Sequence, residues 1–264
     1  MSPRIEITDP VDPRLDDFRD LSRADRRPDR PGGRGLVIAE GVVVVRRLLA
    51  SAYPVRALLG TRRRHDELAP ELAAISAPFY CASAELMATV VGFHLNRGVL
   101  ATADRVSFPP AGRLLGAACS VAVLEGVGDH ENLGAIFRNA AALGVGAVLL
   151  AGGCSDPLYR RSVHVSMGTV LAVPFAPLPW PDEGIELLRR NGFRIVALTP
   201  TGELALRDVD LGGRVAVLVG SEGPGLTERA MRAADFRVRI PMAVGVDSLN
   251  VATAAAIAFA SLPG

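Results

Sequence analysis

The feature that most constrains this chain is a series of short, uninterrupted apolar runs alternating with segments of helical period. Over residues 118–264 the runs are SVAVLEG, GAVLLAG, FRIVALT, RVAVLVG and FRVRIPM, with VPFAP as a further strand or extended segment. Strands that are apolar on both faces belong to sheets covered on both sides, as in parallel α/β architectures. Between them, NLGAIFRNAAALG, Asp156–Met167, Glu183–Asn191, Leu226–Ala233 and LNVATAAAIAFA read as helices. The first half repeats the alternation on a smaller scale. LVIAEG, VRALLG, FYCAS and GVLATADR read as strands, and VVVVRRLLAS, Asp66–Ile75 and Ala84–Val91 as helices. The expected organisation is a leader over 1–34, a small α/β domain over 35–106, a linker with paired prolines over 107–117, and a larger α/β domain over 118–264. The leader is expected to hold a short helix from Pro13 to Leu21 and then a loop, RADRRPDRPGGRG.

Composition narrows the chemistry. The chain of 264 residues is 49% apolar and 22% charged, an ordinary globular balance. It contains no Lys, so all 29 basic side chains are Arg. That excludes a P-loop and Schiff-base chemistry, and makes every fixed cation a planar fork suited to phosphate. Cys81, Cys119 and Cys154 are odd in number and far apart, which argues against disulfides and structural zinc. His65, His94, His130 and His164 form no ligand motif, so no metal is expected. The N-terminus is polar and acidic, unlike a signal peptide, and the apolar runs are too short to span a bilayer. A cytoplasmic protein without membrane association is the expectation. The net charge of +1 means that any nucleic-acid contact must be a local patch, for which Arg62, Arg63, Arg64, Arg160 and Arg161 are the candidates.

Polar residues collect after the strands of the second half, in GDHENLG, TPTG, GSEGPG and MAVGVDSLN. If the strands are parallel, these loops converge on one edge, where open α/β sheets bind ligands. Asn132 reads as the N-cap and Gly144 as the C-cap of a helix whose apolar stripe is Leu133, Ile136, Phe137 and Ala140. Arg138 stands among Gly134, Ala135, Ala141 and Ala142, which leave its guanidinium an open approach. The glycines around Glu222 let backbone N–H groups come close to a ligand. The final helix is apolar nearly all round and is expected to be buried, with Asp247 or Ser248 as its cap. Asn250 then falls in its first turn and needs hydrogen-bond partners.

Together, ENLGAIFRNAAALG, LVGSEGPGL and IPMAVGVDSLNVATAAAIA resemble the three motifs of the SpoU (TrmH-like) 2′-O-ribose RNA methyltransferases of the SPOUT class. The resemblance covers about residues 118–262. Over most of 35–105, LVIAEGVVVVRRLLAS and GFHLNRGVLA resemble an L30e/L7Ae-like substrate-binding domain. The resemblance implies a parallel sheet closed by a trefoil knot, a homodimer through the knot domain, and S-adenosylmethionine as cofactor. It places cofactor binding on Thr199, Gly220, Ile240, Met242 and Leu249, and catalysis on Asn132, Arg138, Glu222, Ser248 and Asn250. Two departures stand out: Asn139 follows the motif arginine where Thr is usual, and GDHE precedes Asn132. The implied activity is methylation of a ribose 2′-OH in tRNA or rRNA, with Arg138 orienting phosphate and hydroxyl. A dinucleotide-binding reading fails, because LEGVGDHENLG has Glu131 where the third glycine belongs. The remaining rival is a non-catalytic RNA-binding or ribosome-associated protein that keeps the fold.

Overall fold

A computed structural model describes residues 2–21 and 35–262. Of the loop expected at RADRRPDRPGGRG, all but Gly35 lies outside the described residues. In chain order the elements are β1 (Arg4–Glu6), β2 (Leu36–Glu40), α1 (Val42–Leu49), β3 (Val55–Gly60), α2 (Arg62–Glu67), α3 (Ala69–Leu72), β4 (Phe79–Cys81), α4 (Ala84–Val91) and β5 (Val99–Asp104). They continue with α5 (Ala111–Ala117), β6 (Ser120–Glu125), α6 (His130–Ala142), β7 (Ala147–Leu150), α7 (Arg160–Val165), β8 (Phe175–Pro177) and α8 (Asp182–Arg190). The last are β9 (Arg194–Leu198), β10 (Leu204–Ala205), β11 (Val215–Gly220), α9 (Glu228–Ala233), β12 (Phe236–Arg239) and α10 (Val251–Ala260).

The chain forms two compact units. The first takes Met1–Ser107 together with Leu158–Ala172, and the second takes Phe108–Pro157 and Val173–Gly264. The first unit is a five-stranded sheet in the order β1-β4-β3-β5-β2. Its β1, β4 and β3 run parallel, and β5 is antiparallel to both β3 and β2. The short helix expected from Pro13 to Leu21 is present as a 3-10 helix over Pro13–Phe18, whose Leu15 and Phe18 are fully buried in the core beside Leu59 and Met87; the strand β1, which pairs with β4, is not among the expected elements. A three-residue strand is too short to show period-2 alternation, and the flanking Asp and Pro obscure it. The single helix expected over Asp66–Ile75 is instead α2 followed by α3, with Leu68 between them and Pro70 in the first turn of α3. The helix expected over Asp156–Met167 shortens to α7 and belongs to the first unit. Its Arg160 Nη1 donates to Glu40 Oε2 at 3.3 Å and its guanidinium lies 4.6 Å over the Phe93 ring.

The second unit is a seven-stranded sheet in the order β10-β12-β9-β11-β6-β7-β8, with every ladder parallel. The expected parallel α/β sheet is therefore present. Its β6 and β11 are buried nearly throughout, as their continuous apolar composition requires. The linker expected over 107–117 folds in part into α5, whose Ala111 and Leu115 join the core of this unit. α6 buries Leu133, Ile136, Phe137 and Ala140; its C-cap is Leu143, and the expected capping residue Gly144 follows it with the left-handed φ of +74°. The final helix does not bury its whole circumference. Val251, Ala252, Ala255, Ala258 and Phe259 are buried, whereas Thr253, Ile257 and Ala260 form an exposed stripe. Among the described residues, no helix is long and apolar enough to cross a membrane.

Candidate active site

Three adjacent parallel strands, β12, β9 and β11, end at a cavity of about 440 Å³. Leu198, Val219, Ile240, Met242, Leu249, Val251 and Ala254 give it apolar walls, and Thr199, Ser221, Ser248 and Asn250 add polar groups. All five residues expected to hold a cofactor line it: Thr199, Gly220, Ile240, Met242 and Leu249. No Arg or His lines the cavity, and Glu222 is the only ionisable side chain among the lining residues. A ligand rich in phosphate would find no countercharge here. An apolar ring system carrying a positive charge would find apolar walls, backbone hydrogen-bonding groups and one carboxylate.

The loop after β11 forms one wall. A side chain at Gly220 would collide with the Gly225 carbonyl carbon and the Leu226 nitrogen, so the loop folds back onto its own strand end. Gly225 N donates to Ser221 O at 3.1 Å, which closes the turn. The helix expected from Leu226 begins later, at Glu228, behind an N-cap at Thr227. Glu222 therefore lies several residues ahead of that helix, on the cavity wall.

The catalytic candidates divide into a cluster and an outlier. Asn250 is itself the N-cap of α10: its Oδ1 accepts from Ala252 N at 3.0 Å and from Thr253 N at 3.3 Å. This corrects the expected cap at Asp247 or Ser248. With Oδ1 committed to the cap, the amide orientation is set. Nδ2 then donates to Asn132 Oδ1 at 2.8 Å and to Glu222 Oε1 at 3.0 Å. The three motifs thus meet at one amide group on the rim of the cavity, and Ser248 lines the same cavity. Asn132 is not the cap of α6; Asp129 is, accepting from Glu131 N at 2.8 Å and Asn132 N at 2.9 Å. That releases the Asn132 side chain for Asn250.

Arg138 is the outlier. It is exposed on α6, does not line the cavity, and makes no hydrogen bond or ion pair among the described residues. Its neighbour Asn139 explains one departure from the motif, because Nδ2 donates to Ala252 O at 2.9 Å and ties α6 to the first turn of α10. α6 packs against α10, and Leu143, just after α6, and Ile257, on α10, are each 38% exposed.

In the first unit, β1, β4 and β3 end at the edge where β5 begins and β2 ends. Arg62, Arg63 and Arg64 follow β3 at this edge. Arg62 pairs with Glu6 at 3.0 Å and Arg64 with Glu67 at 2.5 Å. Arg63 is exposed and pairs with no acid among the described residues. Arg97, which sequence reasoning passed over, sits just before β5, close enough that a Cβ on Gly41 would lie 2.6 Å from its Cδ. It also pairs with no acid among the described residues. Arg160 is spent on Glu40 and Phe93, and Arg161 is exposed on the same helix.

Comparisons with known proteins agree with this geometry. The SpoU rRNA Methylase family model matches residues 120–260. The chain is 58% identical over 259 residues to an uncharacterized tRNA/rRNA methyltransferase of Mycobacterium tuberculosis, covering 96% of this chain and 90% of that one. It is 36% identical over 139 residues to a 23S rRNA (guanosine-2′-O-)-methyltransferase of Coxiella burnetii, covering 51% of this chain and 54% of that protein. Among solved structures it is similar to an AdoMet-bound rRNA methyltransferase from Sinorhizobium meliloti, with a TM-score of 0.81, 26% identity, and 98% and 97% of the two chains covered.

Proposed function

The chain belongs to the SpoU rRNA methylase family, and from that premise we propose that it methylates a ribose 2′-hydroxyl in tRNA or rRNA. The observation that carries the proposal is the meeting of Asn132, Glu222 and Asn250 on the rim of an apolar cavity at the strand ends. The Coxiella relative's 2′-O activity on guanosine supports the ribose over the base as the target. S-adenosylmethionine is the cofactor, as in the Sinorhizobium structure, and when bound it supplies a methyl group already activated by a sulfonium. Thr199, Gly220, Ile240, Met242 and Leu249 hold it, mostly through backbone and apolar contact.

With an activated donor, the chain's own work is orientation and handling of the hydroxyl proton. Asn250 fixes Asn132 and Glu222 relative to each other, and Ser248 adds a hydroxyl beside them. Arg138 supplies a fork that holds the ribose hydroxyl and the neighbouring phosphate together. Its exposed position on α6 supports a homodimer in which Arg138 of one subunit serves the cavity of the other, with the exposed Leu143 and Ile257 as apolar contacts for the interface. The return of α10 onto α6 and β11 after β12 supports the trefoil knot. The first unit carries the RNA, with Arg63 and Arg97 as cations that pair with no acid among the described residues and shape readout as its mode. A clear test is transfer of labelled methyl from S-adenosylmethionine to total RNA of a deletion strain, followed by alkaline hydrolysis. Label in alkali-resistant dinucleotides is the expected result; label in free modified bases or mononucleotides overturns the ribose assignment.

A further inference from the structure

The residue that holds the cavity loop in shape lies outside the loop. Glu125 ends β6 and is only 8% exposed, a rare place for a carboxylate unless it is fully hydrogen-bonded. Its main chain pairs in the ladder with Gly220, the last residue of β11 before the loop. Its side chain reaches the other end of the same loop. Oε2 accepts from Thr227 N at 2.8 Å, and Oε1 accepts from Thr227 Oγ1 at 2.9 Å and from Trp180 Nε1 at 2.6 Å. Thr227 Oγ1 in turn accepts from Ala230 N at 3.3 Å, so the same residue caps α9. Both feet of the segment Ser221–Leu226 thus rest on one residue.

We propose that Glu125 is a positioning residue that sets the cavity loop, and through Glu222 the Asn250–Asn132 cluster, for cofactor binding. The chemistry requires a carboxylate. Two N–H donors, from Trp180 and Thr227, are aimed at different oxygens of Glu125. An amide in its place has one acceptor oxygen and must turn its own N–H₂ toward one of those donors. Glu125→Gln therefore leaves one N–H facing another N–H whichever way the amide turns. Removing the indole donor relieves the conflict. In Glu125→Gln with Trp180→Phe, the amide oxygen takes Thr227 N–H and the amide N–H₂ donates to Thr227 Oγ1.

The proposal rests on the S-adenosylmethionine reading of the cavity, so the test carries a readout that needs no cofactor. Amide hydrogen exchange is followed at Ser221–Thr227 in the free protein, and S-adenosylmethionine affinity by calorimetry. Expected for Glu125→Gln is exchange at these amides at least tenfold faster than wild type, and affinity at least fivefold weaker. The double variant should return toward wild type in both. Thr227→Val, which loses the hydroxyl, should behave as Glu125→Gln does, and Thr227→Ser as wild type. The Thr227 pair decides the matter should Glu125→Gln fail to fold. Unchanged exchange in Glu125→Gln or Thr227→Val, or a double variant no better than Glu125→Gln, overturns the positioning role. Altered exchange in a protein whose wild-type form binds no S-adenosylmethionine overturns the cofactor reading and leaves the loop anchor standing.

Discussion

Asn250 is placed to do two separable jobs, and one pair of substitutions separates them. Its Oδ1 caps α10 and its Nδ2 joins Asn132 to Glu222. Asn250→Ala removes both. Loss of a side-chain cap costs about 1 kcal/mol. Two further hydrogen bonds on an exposed rim add about 0.5 kcal/mol each, the low end for such bonds. The sum of about 2 kcal/mol corresponds to about 4–8 °C in melting temperature for a protein of this size. Asn250→Asp keeps the cap, since Asp caps as well as Asn and its charge suits a helix N-terminus. It places a carboxylate opposite Glu222, an exposed repulsion of about 1 kcal/mol that the better cap partly offsets. With the two lost hydrogen bonds at about 0.5 kcal/mol each added to that repulsion, Asn250→Asp is expected to melt no more than about 4–8 °C below wild type and to remain folded. It has nevertheless lost the donor that orders the site, and removal of one preorganised polar group typically lowers the rate by about 10²–10³. The assay is single-turnover methyl transfer at saturating RNA and cofactor, read beside thermal melts. A folded Asn250→Asp protein that keeps a near wild-type rate refutes the idea that this amide organises catalysis.

Arg138→Ala should leave the melting temperature unchanged, because the side chain is exposed and unpaired among the described residues, yet lower the single-turnover rate by about 10²-fold or more; Arg138→Lys should rescue only in part, since a point charge cannot make a two-point contact. If Arg138 serves the partner's cavity, mixing Arg138→Ala with an inactive Asn250→Asp chain should restore activity in the heterodimers, and failure to do so argues for a site within one chain. Ile257→Glu puts a charge on the exposed stripe of α10 and should yield folded monomers by light scattering; an unchanged mass in solution removes this face from the dimer interface. His164 has its pKa lowered, first by burial and then by the Arg97 guanidinium, against the opposing pull of Glu40 at 4.0 Å. A depressed His favours the neutral form in the folded state, so its contribution is present above the ordinary value of about 6.5 and is lost as the pH falls below it. The protection factors of the α7 amides, corrected for the intrinsic pH dependence of exchange, should fall between pH 7.5 and 5, and His164→Gln should flatten that dependence.

What the sequence made legible follows from the range over which each signal acts. Continuous apolar runs report burial on both faces, which is why β6, β9 and β11 could be read from composition alone and assigned to a covered sheet. The convergence of four loops required only that those strands be parallel. Cap identity was harder, because Asp129, Asn132, Asp247, Ser248 and Asn250 are all competent caps and their spacing does not rank them. The ranking comes from tertiary structure: Asn250 and Asn132 satisfy each other across 118 residues of chain, so each must be oriented by something local. For Asn250 that is its own helix start, and for Asn132 it is Asp129, which takes over the cap. Glu125 was invisible for the converse reason. It lies inside an apolar run, where a lone carboxylate reads as a strand end, and its three donors come from Trp180 and Thr227, distant in sequence. A buried acid at the end of an otherwise apolar strand is itself the signal that could have found it, since burying such a group without partners would cost several kcal/mol. The same logic separates the arginines. Arg160 and Arg63 are equivalent as letters, but Glu40 and Phe93 immobilise one while the other pairs with no acid among the described residues. An RNA phosphate can recruit an uncommitted guanidinium without first breaking an ion pair, so Arg63 and Arg97, rather than Arg160, are where substitution should weaken RNA binding and lower its salt dependence.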